Sequence, residues 1–321
     1  MSRLIHSSLL MLVLAVVFYA ALALYADGAL VWQAITSLDP LVWLMILLLS
    51  LANYLLRYWR WHWFIAHGER PALSHRRHLA IYVAGFSLTM TPGKAGEGMR
   101  SLYLKRHGIS HARSFAALFV ERIMDLLAIL VLAGFGLSAL LDDRVWLAAG
   151  LTLLIIVACL VMVHMPADRW LTAGWTRHLP GRIVAVLQFV AVTLGNARDL
   201  LGWRFLLAGL AIGVLAWGLE GYGLFLVMQE YRPDQVSVLM AMAVYGLGVL
   251  LGALSMSPGG LGASEFAIAW LLHKIGFDMP SAIAITYICR LATLWFAVLI
   301  GVLTLSLMSL LGIRPQLPKE N

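Results

Sequence analysis

Two acid–base pairs recur at one interval in this sequence. Glu97 is followed 25 residues later by Arg122, and Glu265 is followed 25 residues later by Arg290. Each Glu closes a short breaker motif, Pro92-Gly93-Lys94-Ala95-Gly96-Glu97 or Pro258-Gly259-Gly260-Leu261-Gly262-Ala263-Ser264-Glu265. Both read P-G-x-x-G followed by Glu, and both interrupt a long apolar run. The chemistry this suggests is anion recognition. A guanidinium fork matches the oxygens of a phosphate, and carboxylates can orient such forks or take an amine or a proton. Proline removes a backbone donor and glycine opens unusual backbone angles, so each motif breaks a helix. A helix starting just after the glycines aims its first N–H groups at whatever lies beside the break, a ready site for an anion. The bland alternative is that Pro and Gly serve close packing of apolar helices.

Further charges fall in or beside apolar segments. Glu121 and Asp125 stand at i and i+4, on one helix face, where like charges repel unless a cation lies between or opposite them. Lys94, Arg100, Arg122 and Arg290 are the candidate cations. Each charge at the centre of a membrane helix costs ~2.5–3.5 kcal/mol, so these groups need partners or water. The candidate substrate-binding set is Lys94, Glu97, Arg100, Glu121, Arg122, Asp125, Glu265 and Arg290. Pro92, Gly93, Gly96, Pro258, Gly259, Gly260 and Gly262 form the hairpin backbone around it. The competing reading is a salt-bridge network that only braces the fold. Glu220, beside Trp217 and Tyr222, reads equally as a packing feature with one partner.

Other chemistries find little support. His62, His67, His75 and His78 fall in one stretch, but their spacing matches no metal-ligand pattern, and they read as a wet loop near anionic lipid heads. Cys159 and Cys289 both lie in apolar segments and build neither a disulfide framework nor a zinc site. The sequence has no nucleotide-binding loop, no H-E-x-x-H and no Ser-centred nucleophile motif. No metal and no cofactor are expected.

The elements that must position these groups are membrane helices. Of 321 residues, 62% are hydrophobic and only 12% charged, and several segments reach the roughly 20 apolar residues that cross a bilayer. The net charge of +7 belongs to loops near anionic lipid heads, so no nucleic-acid partner is expected. Leu4–Tyr25 reads as a retained first helix rather than a signal peptide. Residues 41–58 cross next and end in an interfacial belt, Arg57-Tyr58-Trp59-Arg60-Trp61-His62-Trp63. His78–Thr91 is too short to span and runs into the first motif with basic residues on both sides, so it reads as a re-entrant hairpin open to the cytoplasm. Residues 115–141 and 146–164 cross again. Residues 166–204 are polar and basic, with an amphipathic helix expected on the membrane surface. Residues 205–228 cross, 236–275 form a second hairpin open to the exterior, and 283–311 cross back.

The expectation is an all-α polytopic membrane protein in one domain, with about six spanning helices and two re-entrant helical hairpins. Residues 4–25 are peripheral, 41–141 form a first repeat, 146–204 link, and 205–311 form a second repeat. Because the hairpins open to opposite sides, the repeats are inverted, an arrangement characteristic of alternating-access transporters. Both termini are expected in the cytoplasm.

At these motifs the sequence resembles the lysylphosphatidylglycerol synthase transmembrane-region family. The resemblance covers roughly residues 10–310. It rests on Pro92-Gly93-Lys94-Ala95-Gly96-Glu97 with Arg100, on Glu121-Arg122 with Asp125, and on Pro258-Gly259-Gly260-Leu261-Gly262 with Glu265. It implies movement of a modified phospholipid or another lipid-linked molecule between leaflets of a bacterial cytoplasmic membrane. The synthases carry an added soluble aminoacyl-transfer domain; the 321 residues leave no room for one, so lysyl transfer is not expected.

The leading functional expectation is a lipid flippase or lipid-binding transporter. Arg122 and Arg290 would hold a phosphate, while acyl or isoprenoid tails stay in the bilayer. One alternative is an integral-membrane enzyme on lipid phosphates or lipid-linked sugars, with Glu97, Glu121 and Asp125 as metal ligands or acid and base. Another is an accessory that scaffolds a lipid-modifying enzyme. Expected partners are membrane lipids, with a lipid-modifying enzyme or a second copy of the chain as further candidates.

Overall fold

The structure, a computed structural model, describes residues 28–67, 73–134, 143–165, 179–232 and 235–315. The expected first crossing, Leu4–Tyr25, lies outside these residues. The described helices are α1 (Gly28–Ser37), α2 (Pro40–Ala66), α3 (His75–Ala84), α4 (Arg100–Leu104), α5 (His111–Gly134), α6 (Asp143–His164), α7 (Gly181–Leu200), α8 (Trp203–Tyr231), α9 (Val238–Leu254), α10 (Ala263–Lys274), α11 (Met279–Arg290) and α12 (Phe296–Leu310). A π-helical turn, Leu291–Trp295, joins α11 to α12, so Met279–Leu310 runs as one rod. Among the described residues, four helices are long and apolar enough to cross a membrane: α2, α7, α8 and this rod.

Helix boundaries follow local chemistry. Asp39 starts α2, its carboxylate accepting from the Leu41 N–H at 2.8 Å, with Pro40 at the first helical position where its missing donor costs nothing. Asp278 caps α11 in the same way, accepting from the Ser281 N–H at 3.2 Å. α2 does not stop near Tyr58 but continues to Ala66, which carries the aromatic–basic belt into the fold. Trp59 stays exposed, while Tyr58, Trp61 and Phe64 are buried. The expected surface helix is α7, which packs along α5; the Phe115 and Phe189 rings lie 5.8 Å apart. Its length and composition also suit a membrane crossing.

α2 and α8 form the spine, and they run antiparallel. Trp63 stacks on Phe205 with ring centroids 4.3 Å apart. Midway, Asn53 Nδ2 donates to the Ala216 carbonyl at 2.7 Å. Towards the other end, Gly223 packs against Ile46. Two apolar cores flank this spine. One joins the Ile46 end of α2 to the later part of α5 and to α8–α11. The other joins the Phe64 end of α2 to α3, the first part of α5, and α12. The charged cluster sits between them.

α3 is only ten residues long, about 15 Å, and passes through a tight turn at Gly85–Leu88 into the first motif. That turn is pressed against α12. A Cβ placed on Gly301 would come within 2.8 Å of the Phe86 carbonyl carbon, so only glycine permits this approach.

Candidate functional site

The two motifs enter their breaks alike and then diverge. The residue before each proline is extended, as proline requires of its predecessor: Thr91 at φ −72°, ψ 149° and Ser257 at φ −67°, ψ 150°. Residues 92–99 then wind as a tight helix leading directly into α4. In the second motif, Gly259, Gly260 and Gly262 take φ of 64°, 72° and 80°, left-handed values that favour glycine. Here α10 begins as a properly capped helix, with Glu265 Oε2 reaching back to accept the Gly262 N–H at 2.7 Å.

Each acid meets the arginine that follows it at the shared interval. Arg290 Nε lies 2.6 Å from Glu265 Oε1, and Arg290 Nη2 donates to the Gly259 carbonyl at 2.8 Å. Arg122 Nη2 lies 3.7 Å from Glu97 Oε2. The motifs also touch one another. Met90, Leu294 and Val298 form a small buried cluster with Leu261 packed on it, and a Cβ on Gly259 would meet Met90 Sδ at 2.6 Å.

Around the first motif the cluster is larger than expected. Arg100 pairs with Glu97 at 2.9 Å and Glu121 at 3.3 Å, and its guanidinium lies 4.0 Å from the Tyr82 ring centroid. Thr89 donates to Glu97 and Tyr82 donates to Glu121, both at 2.9 Å. Arg122 pairs with Glu121 at 3.2 Å and Asp125 at 3.1 Å. The cations that answer the Glu121/Asp125 face also include two from α2. Arg57 lies 3.4 Å from Asp125 and 3.5 Å from Glu121, and Arg60 pairs directly with Asp125. Both arginines are buried.

Arg57 and Arg60 read in sequence as members of a wetted interfacial belt. The structure corrects this, because α2 extends two turns further and draws them inward. Their signal was present: two arginines at i and i+3 directly after an apolar span, on a helix facing an uncompensated pair of acids. His78 is also corrected. It is fully buried rather than in a wet loop. Its Nε2 accepts from Trp61 Nε1 at 3.2 Å, and its Nδ1 lies 2.8 Å from His62 Nδ1.

Between the two motifs lies a cavity of about 330 Å³. Its charged lining comes from Arg57, Arg122, Asp125, Glu220 and Arg290, with Thr89, Thr91, Ser257 and Ser264 as hydroxyls. Tyr54, Phe86, Trp217 and Tyr245 add aromatic wall, and Leu126, Ile129, Ile155 and Val249 add aliphatic surface. Of the predicted set, Arg122, Asp125 and Arg290 face this space. Glu97, Glu121 and Glu265 stand behind them and pair with the guanidiniums of Arg122 and Arg290, and Arg100 pairs in turn with Glu97 and Glu121. The side chain of Lys94 lies outside the described residues. Glu220 and Tyr245, absent from the predicted set, join the lining, with Tyr245 Oη donating to Glu220 Oε2. Among the described residues no group of three or more His, Cys, Asp or Glu converges to hold a metal; Glu97, Glu121 and Asp125 are each turned onto guanidiniums. Guanidiniums already oriented by carboxylates thus face one space, and a guanidinium fork matches the oxygens of an oxyanion.

Helical architecture, span lengths and intramembrane charge define a multi-pass membrane protein. The family model for the lysylphosphatidylglycerol synthase TM region matches residues 11–301, and the chain belongs to that family. The chain is similar to a UPF0104 membrane protein of Methanothermobacter thermautotrophicus, 25% identical over 92% of this chain and 94% of the relative. It is also similar to a UPF0104 membrane protein of Pyrococcus horikoshii, 22% identical over 69% of this chain and 73% of the relative. The family ties this membrane protein to lipid metabolism or transport.

Proposed function

We propose that the protein moves an anionic lipid head group between leaflets, binding its phosphate in the cavity between the two P-G motifs. The observation that carries this reading is the cavity wall itself. Arg122 from the first half, Arg290 from the second and Arg57 from α2 line one space beside aliphatic surface. A phosphate fits the guanidiniums, and the apolar wall suits the glycerol backbone or the start of a tail.

Two packing relations support an inverted-repeat transporter. α2 and α8, the helices that precede the two hairpins, pair antiparallel at the centre of the fold. In addition, the helix after each hairpin packs on the first helix of the other hairpin: α5 on α9, and α12 on α3. With the basic loops in the cytoplasm, the first hairpin opens inward and the second outward, and both termini are cytoplasmic. Rocking of the halves about the motif contact would expose the head group to each side in turn.

The test is reconstitution into liposomes carrying a head-labelled fluorescent phosphatidylglycerol. Labelled lipid should cross to the protected leaflet with the wild-type protein and fail to cross with Arg122→Ala or Arg290→Ala. Equal transport by a correctly folded Arg122→Ala/Arg290→Ala protein would refute the cavity as the route.

A further inference from the structure

We infer that an acyl tail of the bound lipid leaves the cavity through a side portal between α6 and the end of α9, with Ile155 and Met256 at its rim and Met256 packed on the tail. This rests on the proposed phosphate site and adds the route by which head and tail keep different surroundings. The first observation is the backbone at Met256. It stands two residues past the end of α9, after the capping Ser255, and takes φ 54°. Among the described residues it is the sole non-glycine at positive φ. A left-handed residue just past a helix end is normally glycine, which carries no Cβ penalty. This chain follows that rule at the same position after α10 and α12, with Gly276 at 102° and Gly312 at 72°. At 256 a side chain is kept where the backbone disfavours one. The turn is pinned on both sides. Ser255 Oγ donates to the Gly252 carbonyl at 2.7 Å and accepts the Ser257 N–H at 3.2 Å, and Ser257 Oγ donates to the Leu261 carbonyl at 3.0 Å. Strain maintained by its surroundings in this way is typical of ligand clamps.

The second observation is where that side chain stands. Met256 lines the cavity and is 62% exposed. α6 packs on α5 and α9, and its Ile155 also lines the cavity while 38% exposed. A residue that borders an internal space and stays exposed stands at its mouth. Methionine suits such a rim, because its unbranched thioether adapts to a mobile chain.

The third observation is the change of polarity along the cavity. Arg122, Leu126 and Ile129 of α5 all line it, at i, i+4 and i+7 on one helix face. The wall therefore passes from guanidinium to aliphatic surface within about two helical turns. Ile155 and Met256 continue the aliphatic part, and beyond them Leu151 and Leu154 lie exposed on α6. That order matches an amphiphile, with its phosphate inside, its first methylenes at the mouth and the rest of the tail in the bilayer. A soluble phosphate would leave the apolar mouth without an occupant.

Photolabelling of the full chain in lipid nanodiscs tests this, using a phosphatidylglycerol with a diazirine near the head-group end of one acyl chain. Tail adducts should map to Ile155 and Met256, and to Leu154 as a surface reference. Saturating glycerophosphoglycerol, which has the head group and no tails, should clear the first two and leave Leu154 labelled. Adducts at Ile155 and Met256 that persist while calorimetry shows glycerophosphoglycerol bound would mark surface lipid only and overturn the portal. In detergent, dihexanoyl phosphatidylglycerol should bind the wild type more tightly than glycerophosphoglycerol. Met256→Gly should shrink that ratio by roughly three- to tenfold through lost apolar contact, while its unfolding midpoint holds or rises, because glycine suits the left-handed turn. Ile155→Trp, which narrows the mouth, should weaken the tailed ligand more than the tailless one. An unchanged ratio in Met256→Gly overturns the role of Met256, and in Ile155→Trp it overturns the portal itself; the phosphate site stands in both cases. No binding of either ligand by the wild type, or binding indifferent to Arg122→Ala/Arg290→Ala, overturns both sites.

Discussion

Arg290 holds two parts of the second motif at once. Its Nε is 2.6 Å from Glu265 Oε1, and its Nη2 donates to the Gly259 carbonyl at 2.8 Å. Glu265 in turn accepts the Gly262 N–H. One guanidinium thus ties the left-handed glycine turn to the start of α10, and it does so from the rod that passes the cavity. Removing Arg290 leaves Glu265 buried without this partner, which for buried pairs costs ~3–5 kcal/mol. Arg290→Ala should lower the unfolding midpoint in detergent substantially. Glu265→Gln with Arg290→Gln should be milder than Arg290→Ala alone, because no charge is stranded. Thermal unfolding of Arg290→Ala, of the double variant and of Glu265→Gln and Arg290→Gln alone checks this; additive losses from the two single Gln variants would contradict the coupling.

The glycine at 259 serves backbone shape and contact together. Its φ is 64°, where a Cβ costs ~1–2 kcal/mol, and that Cβ would also press on Met90 Sδ at 2.6 Å. Gly259→Ala should therefore destabilise through two routes. Adding Met90→Ala relieves the contact but not the φ, so stability against thermal unfolding should recover only in part. Full recovery would show that the left-handed turn is dispensable.

Gly301 governs how the first hairpin seats on α12. Forcing a side chain against the Phe86 backbone must displace the Gly85–Leu88 turn, and overpacking of this kind costs ~1–3 kcal/mol. Gly301→Val should slow lipid transfer more than it lowers expression, since the displaced turn carries Thr89 and the first motif towards the cavity. Transport measured per folded protein separates the two effects.

What was legible in the sequence followed from fixed intervals. The spacing of Glu97 to Arg122 and Glu265 to Arg290 survives in the fold because a short break followed by helices returns the chain to the same height. The cluster's other half was hidden. Arg57 and Arg60 belong to a string of tryptophans and arginines that a membrane interface would also favour, and only the pairing with Asp125, more than sixty positions along the chain, decides between the two settings. The divergence of the motifs was equally out of reach. Both read P-G-x-x-G, yet one winds into a tight helix and the other turns left-handed, because Lys94-Ala95 and Gly260-Leu261 give the backbone different freedom. At the offset that relates the two acids, Glu121 and Asp125 correspond to Cys289 and Thr293, so the halves are unequal in charge.

Burial of Arg60 gives a separate test of that hidden half. Arg60 pairs with Asp125 and Glu121 and has no exposed surface. Arg60→Met removes a cation from a cluster of three acids and should destabilise strongly, by ~3–5 kcal/mol. Arg60→Met with Asp125→Asn restores the charge balance and should regain much of the loss. Unfolding midpoints for both report on the pairing without reference to transport. A neutral Arg60→Met variant would return Arg60 to the interfacial role that the sequence suggested.

Inverted topology makes a prediction about sidedness that does not depend on any ligand. If the hairpins open to opposite faces, single cysteines in the two motifs must react from opposite sides of a sealed vesicle. The background is Cys159→Ala/Cys289→Ala, which removes both native thiols. Ala95→Cys should label with a charged maleimide only from the cytoplasmic side, and Ala263→Cys only from the exterior. Protection of both by dihexanoyl phosphatidylglycerol would place the two tips at one shared space, as the Met90–Gly259 approach implies. Labelling of both from the same side would exclude the inverted repeat, however well α2 and α8 pair, because two parallel hairpins cannot alternate the access of one central cavity.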